Sequence, residues 1–380
     1  MKIGRVWVGV ACLLCCAQAR SQTLVYSLSY LETRASFQAR FGSALTFPGQ
    51  RTDEENLAML RNTRKNELHS VSLKDGKRSL LFSDEGMDLE IRAAGSVSGA
   101  AKAYTTGVWR EWRATPTRGV YSDDGIYELS LDGSNRFRKI TGAPKQGRAL
   151  LNPQGDKAAA QSADGQSMVI YTVPEWKLAA TLDLAKLAKI HCPDCTPTSY
   201  GWLADGNRVF VELVVVGDED SGKADHPGTY ILSVAGADLG ATPAGAGAFQ
   251  LPGYIHPEFI DHHFLGQLPD GRYIFVDYGV KQGKPMTQTE PFLVIAGAGS
   301  RAVRQIPLRF SIGTCYISPS GKYLAYLEQR TTPDYRSESH LWVLNLDSGE
   351  SKELLATPPP NPPTSPNPNV TLNILGWIPE

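Results

Sequence analysis

Apolar residues recur in short runs, many of them alternating with polar ones. Examples are Leu24-Val25-Tyr26-Ser27-Leu28-Ser29-Tyr30, Val209-Phe210-Val211-Glu212-Leu213, Tyr273-Ile274-Phe275-Val276-Asp277 and Leu341-Trp342-Val343-Leu344-Asn345-Leu346. A period of two and lengths of five to seven residues predict β-strands rather than helices. Turn-forming residues punctuate the runs in two families. One reads Asn152-Pro153-Gln154-Gly155, Leu203-Ala204-Asp205-Gly206, Leu268-Pro269-Asp270-Gly271 and Ser318-Pro319-Ser320-Gly321. Proline presets φ for such a turn, and glycine accepts the positive φ at its end. The other reads Lys74-Asp75-Gly76, Leu131-Asp132-Gly133, Pro174-Glu175-Trp176, Val234-Ala235-Gly236, Gly297-Ala298-Gly299 and Asp347-Ser348-Gly349, most of them after an alternating run. Acidic-glycine turns of this kind join antiparallel strands.

The first family repeats every fifty to sixty-five residues or so, and such a period indicates a repeat architecture. A degenerate fifth copy lies at Gly99. A sixth begins at Gly376-Trp377-Ile378-Pro379-Glu380 and breaks off where its turn should be, and the strand it lacks is at the other end, over Leu24 to Tyr30. A repeat divided between the two ends is how a ring of sheets is closed. A four-stranded sheet with two apolar faces needs a neighbour on each side, and a ring leaves no sheet uncovered. The expected fold is therefore all-β: a six-bladed β-propeller over residues 22–380, with the N-terminal and C-terminal strands sharing one blade.

Two stretches carry a family likeness: Ser318-Pro319-Ser320-Gly321-Lys322-Tyr323-Leu324-Ala325-Tyr326, and the run from Leu341 to Gly349. Here the chain resembles the TolB-like, WD-like six-bladed propellers of bacterial envelopes. That propeller type is also fused to hydrolase domains in the prolyl-oligopeptidase family. The resemblance implies the architecture and is poor in information about activity.

Elsewhere the pattern departs from strands. Thr52-Asp53-Glu54-Glu55 is a capping box before Leu57-Ala58-Met59-Leu60, predicting a helical insertion near 52–66. Asp183 to Ile190 is a shorter helical candidate. Residues 357–369 hold seven prolines and predict an extended connection before the closing strand. Long irregular segments are expected over 33–66, 110–124, 217–228, 279–290 and 328–338, with blade connections over 183–198, 242–259 and 356–369. In a propeller these lie on the face opposite the tight turns, and loops on a rigid scaffold carry recognition.

The first nineteen residues combine a basic start (Lys2, Arg5), an apolar run from Val6 to Cys16 and Ala17-Gln18-Ala19, the pattern of a cleaved signal peptide. Residues 1–19 are expected to be removed and the product to be periplasmic or secreted. Leu13-Leu14-Cys15-Cys16 offers a weaker lipoprotein reading. No later run is long enough to span a bilayer as a helix. Without Lys2 and Arg5 the formal charge moves from −1 to −3, which is no footprint for nucleic acid or anionic lipid. A monomer is expected. Three cysteines go with the leader. Cys192, Cys195 and Cys315 remain, and in an oxidising compartment they suggest one pair and one thiol left over.

Cys192-Pro193-Asp194-Cys195 admits three readings. Its redox form would place the pair at a helix start, whereas here the helical pattern precedes it. Zinc would need four ligands, and only His191 stands beside the cysteines. The third is structural: a loop-stabilising disulfide, or two unpaired thiols. Asp218, Asp220 and Asp225, with Glu219, supply oxygen ligands for calcium beside His226, though not the ligand order of an EF-hand; a solvated acidic loop is the alternative. No other cofactor is expected. His256, Glu258 and His262, with Asp261 and His263, are ligand types without a recognised spacing. Trp109-Arg110-Glu111-Trp112-Arg113 pairs flat apolar surface with fixed positive charge. Exposed, it suits a glycan, a peptide carboxylate or a protein; buried, its tryptophans are inter-blade packing.

No Gly-x-Ser-x-Gly elbow, phosphate loop, dinucleotide fingerprint or His-Glu-x-x-His occurs. The expectation is an exported, non-catalytic propeller that docks a protein or peptide of the cell envelope on its loop face. The alternative is a metal-dependent hydrolase, lactonase or lyase working in the central channel, with His256, Glu258, His262, Asp218 and Asp220 as first candidates.

Overall fold

A computed structural model describes residues 22–41, 52–99, 101–113, 119–143, 149–162, 164–215, 229–234, 242–243, 254–255, 263–285, 289–297, 302–308, 314–331, 337–362 and 364–378. Their strands form six small antiparallel sheets. Blade 1 contains β1 (Thr23–Leu31), β2 (Arg64–Ser72), β3 (Arg78–Ser83) and the last strand, β25 (Asn369–Ile378). Blade 2 contains β4 (Leu89–Ser98), β5 (Lys102–Arg113), β6 (Gly119–Ser130) and β7 (Phe137–Lys139). Blade 3 contains β8 (Leu150–Leu151), β9 (Lys157–Gln161), β10 (Ser167–Thr172) and β11 (Leu178–Asp183). Blade 4 contains β12 (Cys195–Trp202), β13 (Arg208–Val215), β14 (Thr229–Ser233) and β15 (Thr242–Pro243). Blade 5 has five strands: β16 (Tyr254–Ile255), β17 (His263–Gln267), β18 (Tyr273–Lys281), β19 (Thr289–Ala296) and β20 (Ala302–Pro307). Blade 6 contains β21 (Cys315–Ile317), β22 (Tyr323–Thr331), β23 (Ser337–Asn345) and β24 (Ser351–Ala356).

Each hydrophobic cluster belongs to the seam between two blades. Phe82 and Val25 meet Leu89 and Leu129 between blades 1 and 2. Tyr104 and Ile126 meet Ala158 and Tyr171 between blades 2 and 3. Met168 and Ile170 meet Val209 and Val211 at the next seam, and Phe210 meets Phe264 and Phe275 at the one after. Ile274 and Leu293 meet Leu324 and Leu344 between blades 5 and 6. The sixth cluster joins Ala325 and Leu341 of blade 6 to Leu24, Tyr26 and Ile374 of blade 1. Six blades with six filled seams make a closed ring. The chain is a six-bladed β-propeller.

Closure rests on β25, the innermost strand of blade 1, which pairs with β1 from Thr23↔Ile378 to Leu31↔Asn369. Gly-Trp pairs stand at 201–202 and 376–377, each on the innermost strand of its blade. The Trp377 indole donates to the Tyr316 carbonyl at 2.9 Å, and that of Trp202 donates to the Leu150 carbonyl at 2.8 Å. Each tryptophan thus ties the innermost strand of its blade to that of the blade before. Gly376 follows a bulge at Leu375 and has φ +138°, a conformation that favours glycine.

The helices depart in detail from expectation. Helix α1 (Arg34–Phe41) lies in a segment read as irregular. Helix α2 (Asp53–Thr63) has the predicted capping box: Thr52 accepts from the Glu55 amide, and Glu55 accepts from the Thr52 amide. It stops at Thr63, three residues short of the expected end, because β2 begins at Arg64. Helix α3 (Leu184–His191) is capped by Asp183, whose carboxylate accepts from the Lys186 amide at 2.8 Å.

Candidate functional site

The two faces of the ring are built differently. On the tight-turn face the following bends close on themselves. Asp75, Asp132, Asp205 and Asp270 each accept the backbone N–H two residues on, at 3.0–3.1 Å. Ser320 and Asn345 do the same at 3.3 and 2.8 Å. Neighbouring turns are also latched together: Asn152 Nδ2 donates to the Gly206 carbonyl and Lys157 Nζ to Asn207 Oδ1. Gly206 has φ +64°, a conformation in which any L side chain is strained, and a Cβ there would also displace the end of the Gln154 side chain.

On the opposite face the link between the second and third strands differs from blade to blade. Blade 3 uses a short bend between Gln161 and Ser167, whereas blade 1 inserts α1 and α2. In blade 2 the segment expected to be irregular over 110–124 is largely a ribbon. The β5–β6 register runs on to Arg113↔Gly119, while β4 pairs β5 no further than Trp109 and β7 pairs β6 no further than Tyr127. Blade 6 has a shorter ribbon, with β22 and β23 paired out to Thr331↔Ser337. These strands are missed because polar, charged side chains, usual for an exposed ribbon, mask the alternation by which a half-buried strand is recognised.

Helix α2 lies against β2, β5 and β6, so the insertion of blade 1 and the ribbon of blade 2 form one unit. Three arginines join them to the blade connection. Arg61 pairs with Asp88, and Arg64 pairs with Glu90 at 2.6 Å. Arg110 pairs with the other oxygen of Glu90, and its amide donates to the Asp88 carbonyl at 2.9 Å. Burial alone would raise the Glu90 carboxyl, but the two guanidinium groups outweigh it and hold that carboxyl below its ordinary range. Asp84, 4% exposed, accepts from the Asn66 amide and side chain and from the Ile91 amide at 2.5–2.8 Å. Burial outweighs these bonds and pushes its carboxyl up to about 6. The cleft bounded by Leu57, Arg61, Arg64, Asp84, Glu90 and Arg110 measures about 10 Å³. That is room for one water, so the corner offers its outer surface rather than a small-molecule cavity.

The five-residue motif therefore divides. Trp109 packs against the seam between blades 1 and 2. Arg110 is committed to Glu90, and Glu111 to Arg113. The Arg113 guanidinium lies 3.6 Å from the centroid of the Tyr121 ring, and both side chains are exposed. The Trp112 side chain lies outside the described residues. Tyr121 is not among the residues expected from the sequence; the β5–β6 register places it diagonal to Arg113.

Cys192 and Cys195 form a disulfide with Cα atoms 5.3 Å apart, both buried in the seam between blades 3 and 4. The Cys192 amide closes α3 by donating to the Ala188 carbonyl at 2.7 Å. Cys315 is not part of that disulfide. Asp218, Asp220, Asp225, His256, Glu258 and His262 lie outside the described residues. Among the described residues no cluster of three or more His, Cys, Asp or Glu side chains is arranged to hold a metal ion. Among them, too, no helix is long and apolar enough to cross a membrane.

Blade 6 carries a second polar cluster on this face. The fully buried Glu328 carboxylate accepts from Arg330 through both oxygens, at 2.6 and 3.0 Å, and from the Trp342 indole at 2.7 Å. His340, 5% exposed, lies between Glu338 and Glu353, at 3.3 and 3.4 Å. The Glu328 carboxylate is thus satisfied within its own blade, whereas the buried Nδ1 of His340 makes no hydrogen bond among the described residues.

No protein-family model matches the chain, and no curated protein matches it. Solved structures do. TolB from Acinetobacter baumannii aligns at 10% identity over 93% of this chain and 67% of that one, with a TM-score of 0.47. A puromycin-hydrolyzing peptidase from Mycobacterium tuberculosis aligns at 11% over 77% of this chain, with a TM-score of 0.42, and this chain spans 43% of its length. The periplasmic gluconolactonase of Pseudomonas aeruginosa aligns at 12% over 82% of this chain and 80% of that one, with a TM-score of 0.38. The likeness is one of fold.

Proposed function

We propose that this propeller is an exported, non-catalytic binding module that docks a protein or peptide on its loop face, at the corner made by blades 1 and 2. The observation that carries this reading is the ordered elaboration of that corner. A capped helix is fastened by Arg61, Arg64 and Arg110 to a two-stranded ribbon that outruns its blade and ends in the exposed Arg113–Tyr121 pair. A rigid platform costs a partner little ordering entropy, and arginine and tyrosine are the side chains most often found at the energetic centre of interfaces. The leader-like start supports export to the periplasm or beyond.

Photo-cross-linking tests the reading. A photoreactive residue at Tyr121 should capture one defined partner from envelope extract, and the same residue at Asp205 on the tight-turn face should not. Capture at Asp205 and not at Tyr121 would refute it. The residues of the channel-enzyme alternative, His256, Glu258, His262, Asp218 and Asp220, lie outside the described residues.

A further inference from the structure

The outer edge of the blade 2 ribbon has the properties of a strand-addition site. In β6 the even-numbered residues direct their backbone groups away from β5: the Ser130 amide donates to the Arg136 carbonyl, and the Ile126 carbonyl accepts from the Ile140 amide. An antiparallel strand keeps this parity along its length. The N–H and C=O groups of Ser122 and Asp124 therefore point outward along the same edge. Strand β7 covers that edge only as far as Tyr127↔Lys139, and Ile140 adds the last bond before the chain turns off at Gly142. Beyond it, Ser122 and Asp124 are exposed, and no backbone partner covers their edge among the described residues.

Such an edge is a template for another strand, and proteins commonly blunt it with charge. Here the charges are unequal. Asp123 is paired with Lys139. Asp124 is exposed and has no ion pair among the described residues. An acidic position on an open edge rejects an acidic neighbour and accepts a basic one, since opposed charges across a strand pair stabilise it.

Building on the docking face argued above, the geometry points to an extended peptide segment with a basic side chain, which pairs with β6 over Ser122 and Asp124 in line with β7. Main-chain bonds to the two residues give affinity. Asp124 selects lysine or arginine opposite it, and the Arg113–Tyr121 stack forms the neighbouring surface. Recognition by strand addition divides these roles in the same way.

The test uses the full chain and two seven-residue peptides with one alternating, strand-forming pattern, carrying lysine at alternate positions in one and glutamate in the other. The lysine peptide should bind at least about ten-fold more tightly, by analogy with the cost of like charges across a strand pair, and should slow amide exchange at Ser122 and Asp124. Ser122→Pro removes an outward N–H that the ribbon does not use, and should abolish binding. Asp124→Lys leaves the backbone untouched and should reverse the preference towards the glutamate peptide. Equal affinity for the two peptides, binding of neither, or an unchanged preference in Asp124→Lys would overturn the inference. Partner capture at Tyr121 that both variants leave intact would defeat strand addition while the docking face stands. Peptide binding as expected with capture at Asp205 alone would defeat the docking face and spare the edge.

Discussion

The tight-turn face and the blade 1–2 corner of the loop face place comparable polar side chains at opposite ends of the same strands, and hold them by bonds of very different range. Asp75, Asp132, Asp205 and Asp270 bind amides two residues away. The longer bonds of that face, such as Asn152 to Gly206 and Lys157 to Asn207, span about one repeat. At the corner Glu90 gathers Arg64 and Arg110 from two blades, and nearby Thr33 donates to the carbonyl of Ser365, close to the other end of the chain. The first arrangement can be copied from blade to blade because each bend is self-sufficient. Among the described residues the second occurs once, because it needs one insertion, one ribbon and one blade connection together. Shared architecture belongs to the repeated face, and individuality, with the proposed docking, to the other.

The largest effect that tests this division is on closure. Deleting residues 371–380 removes Leu372, Ile374, Leu375 and Trp377 from buried positions. At roughly 1.5–3 kcal/mol for each side chain, the loss is about 6–12 kcal/mol, comparable with the entire stability of a typical domain, about 5–15 kcal/mol. Calorimetry should show no cooperative transition. A full-sized transition in the truncated protein would break the account of the ring.

A paired substitution sharpens the comparison at intermediate size. Glu90→Ala strips Arg64 and Arg110 of their shared partner and should cost about 1.5–3 kcal/mol, the range for charge-assisted bonds. Amide exchange should quicken in α2 and the ribbon and stay unchanged at the tight turns. Gly206→Ala should cost about 1–2 kcal/mol, because an L-residue is strained at positive φ, and should loosen blades 3 and 4 while leaving α2 alone. If both variants spread their effects around the whole ring, the two faces are not independent.

Acid provides the smallest contrast. Arg138, Lys102 and Tyr104 hold the Glu128 carboxyl at about 2 despite opposing burial. Folded Glu128 binds its proton less readily than the unfolded chain. Its stabilisation is complete above the ordinary glutamate range and is lost as pH falls from about 4.5 towards 2. Asp84 has the opposite sign: with its carboxyl raised to about 6 from 3.8, folding takes up a proton and stability rises as pH falls through that window. Melting temperature against pH should keep its limb between 6 and 4 in Glu128→Gln but lose part of the fall below 4.5. Because Arg138 and Lys102 are half-exposed, the difference should be below about 1 kcal/mol. An unaltered acid limb would remove Glu128 from this role.

The site was less legible than the fold, and its residues show why. Capping of α2 by Thr52 and Glu55 was readable because the bonding groups stand three residues apart. The Trp377 repeat was readable as a strand, but not its bond to Tyr316, sixty-one residues away. Arg110 carries the same charge in the sequence whether free or paired, and only the approach of β4 to β5 commits it to Glu90. Nothing local distinguishes Tyr121, since a tyrosine in a polar stretch has no periodicity to mark it.

By itself the sequence determined that the chain is all-β, that its repeat occurs six times and that its two ends meet in one blade. Each of these follows from short-range physics: alternation sets strand faces, and Asp-Gly and Pro-x-Gly set turns. Tertiary structure alone decided that α2 lies on the ribbon of blade 2, that Glu90 binds two arginines, that Cys192 meets Cys195 in a buried seam, and that no strand among the described residues covers the edge at Ser122 and Asp124. Those outcomes depend on which blades become neighbours and how far each strand outruns its partner, and no local pattern encodes either.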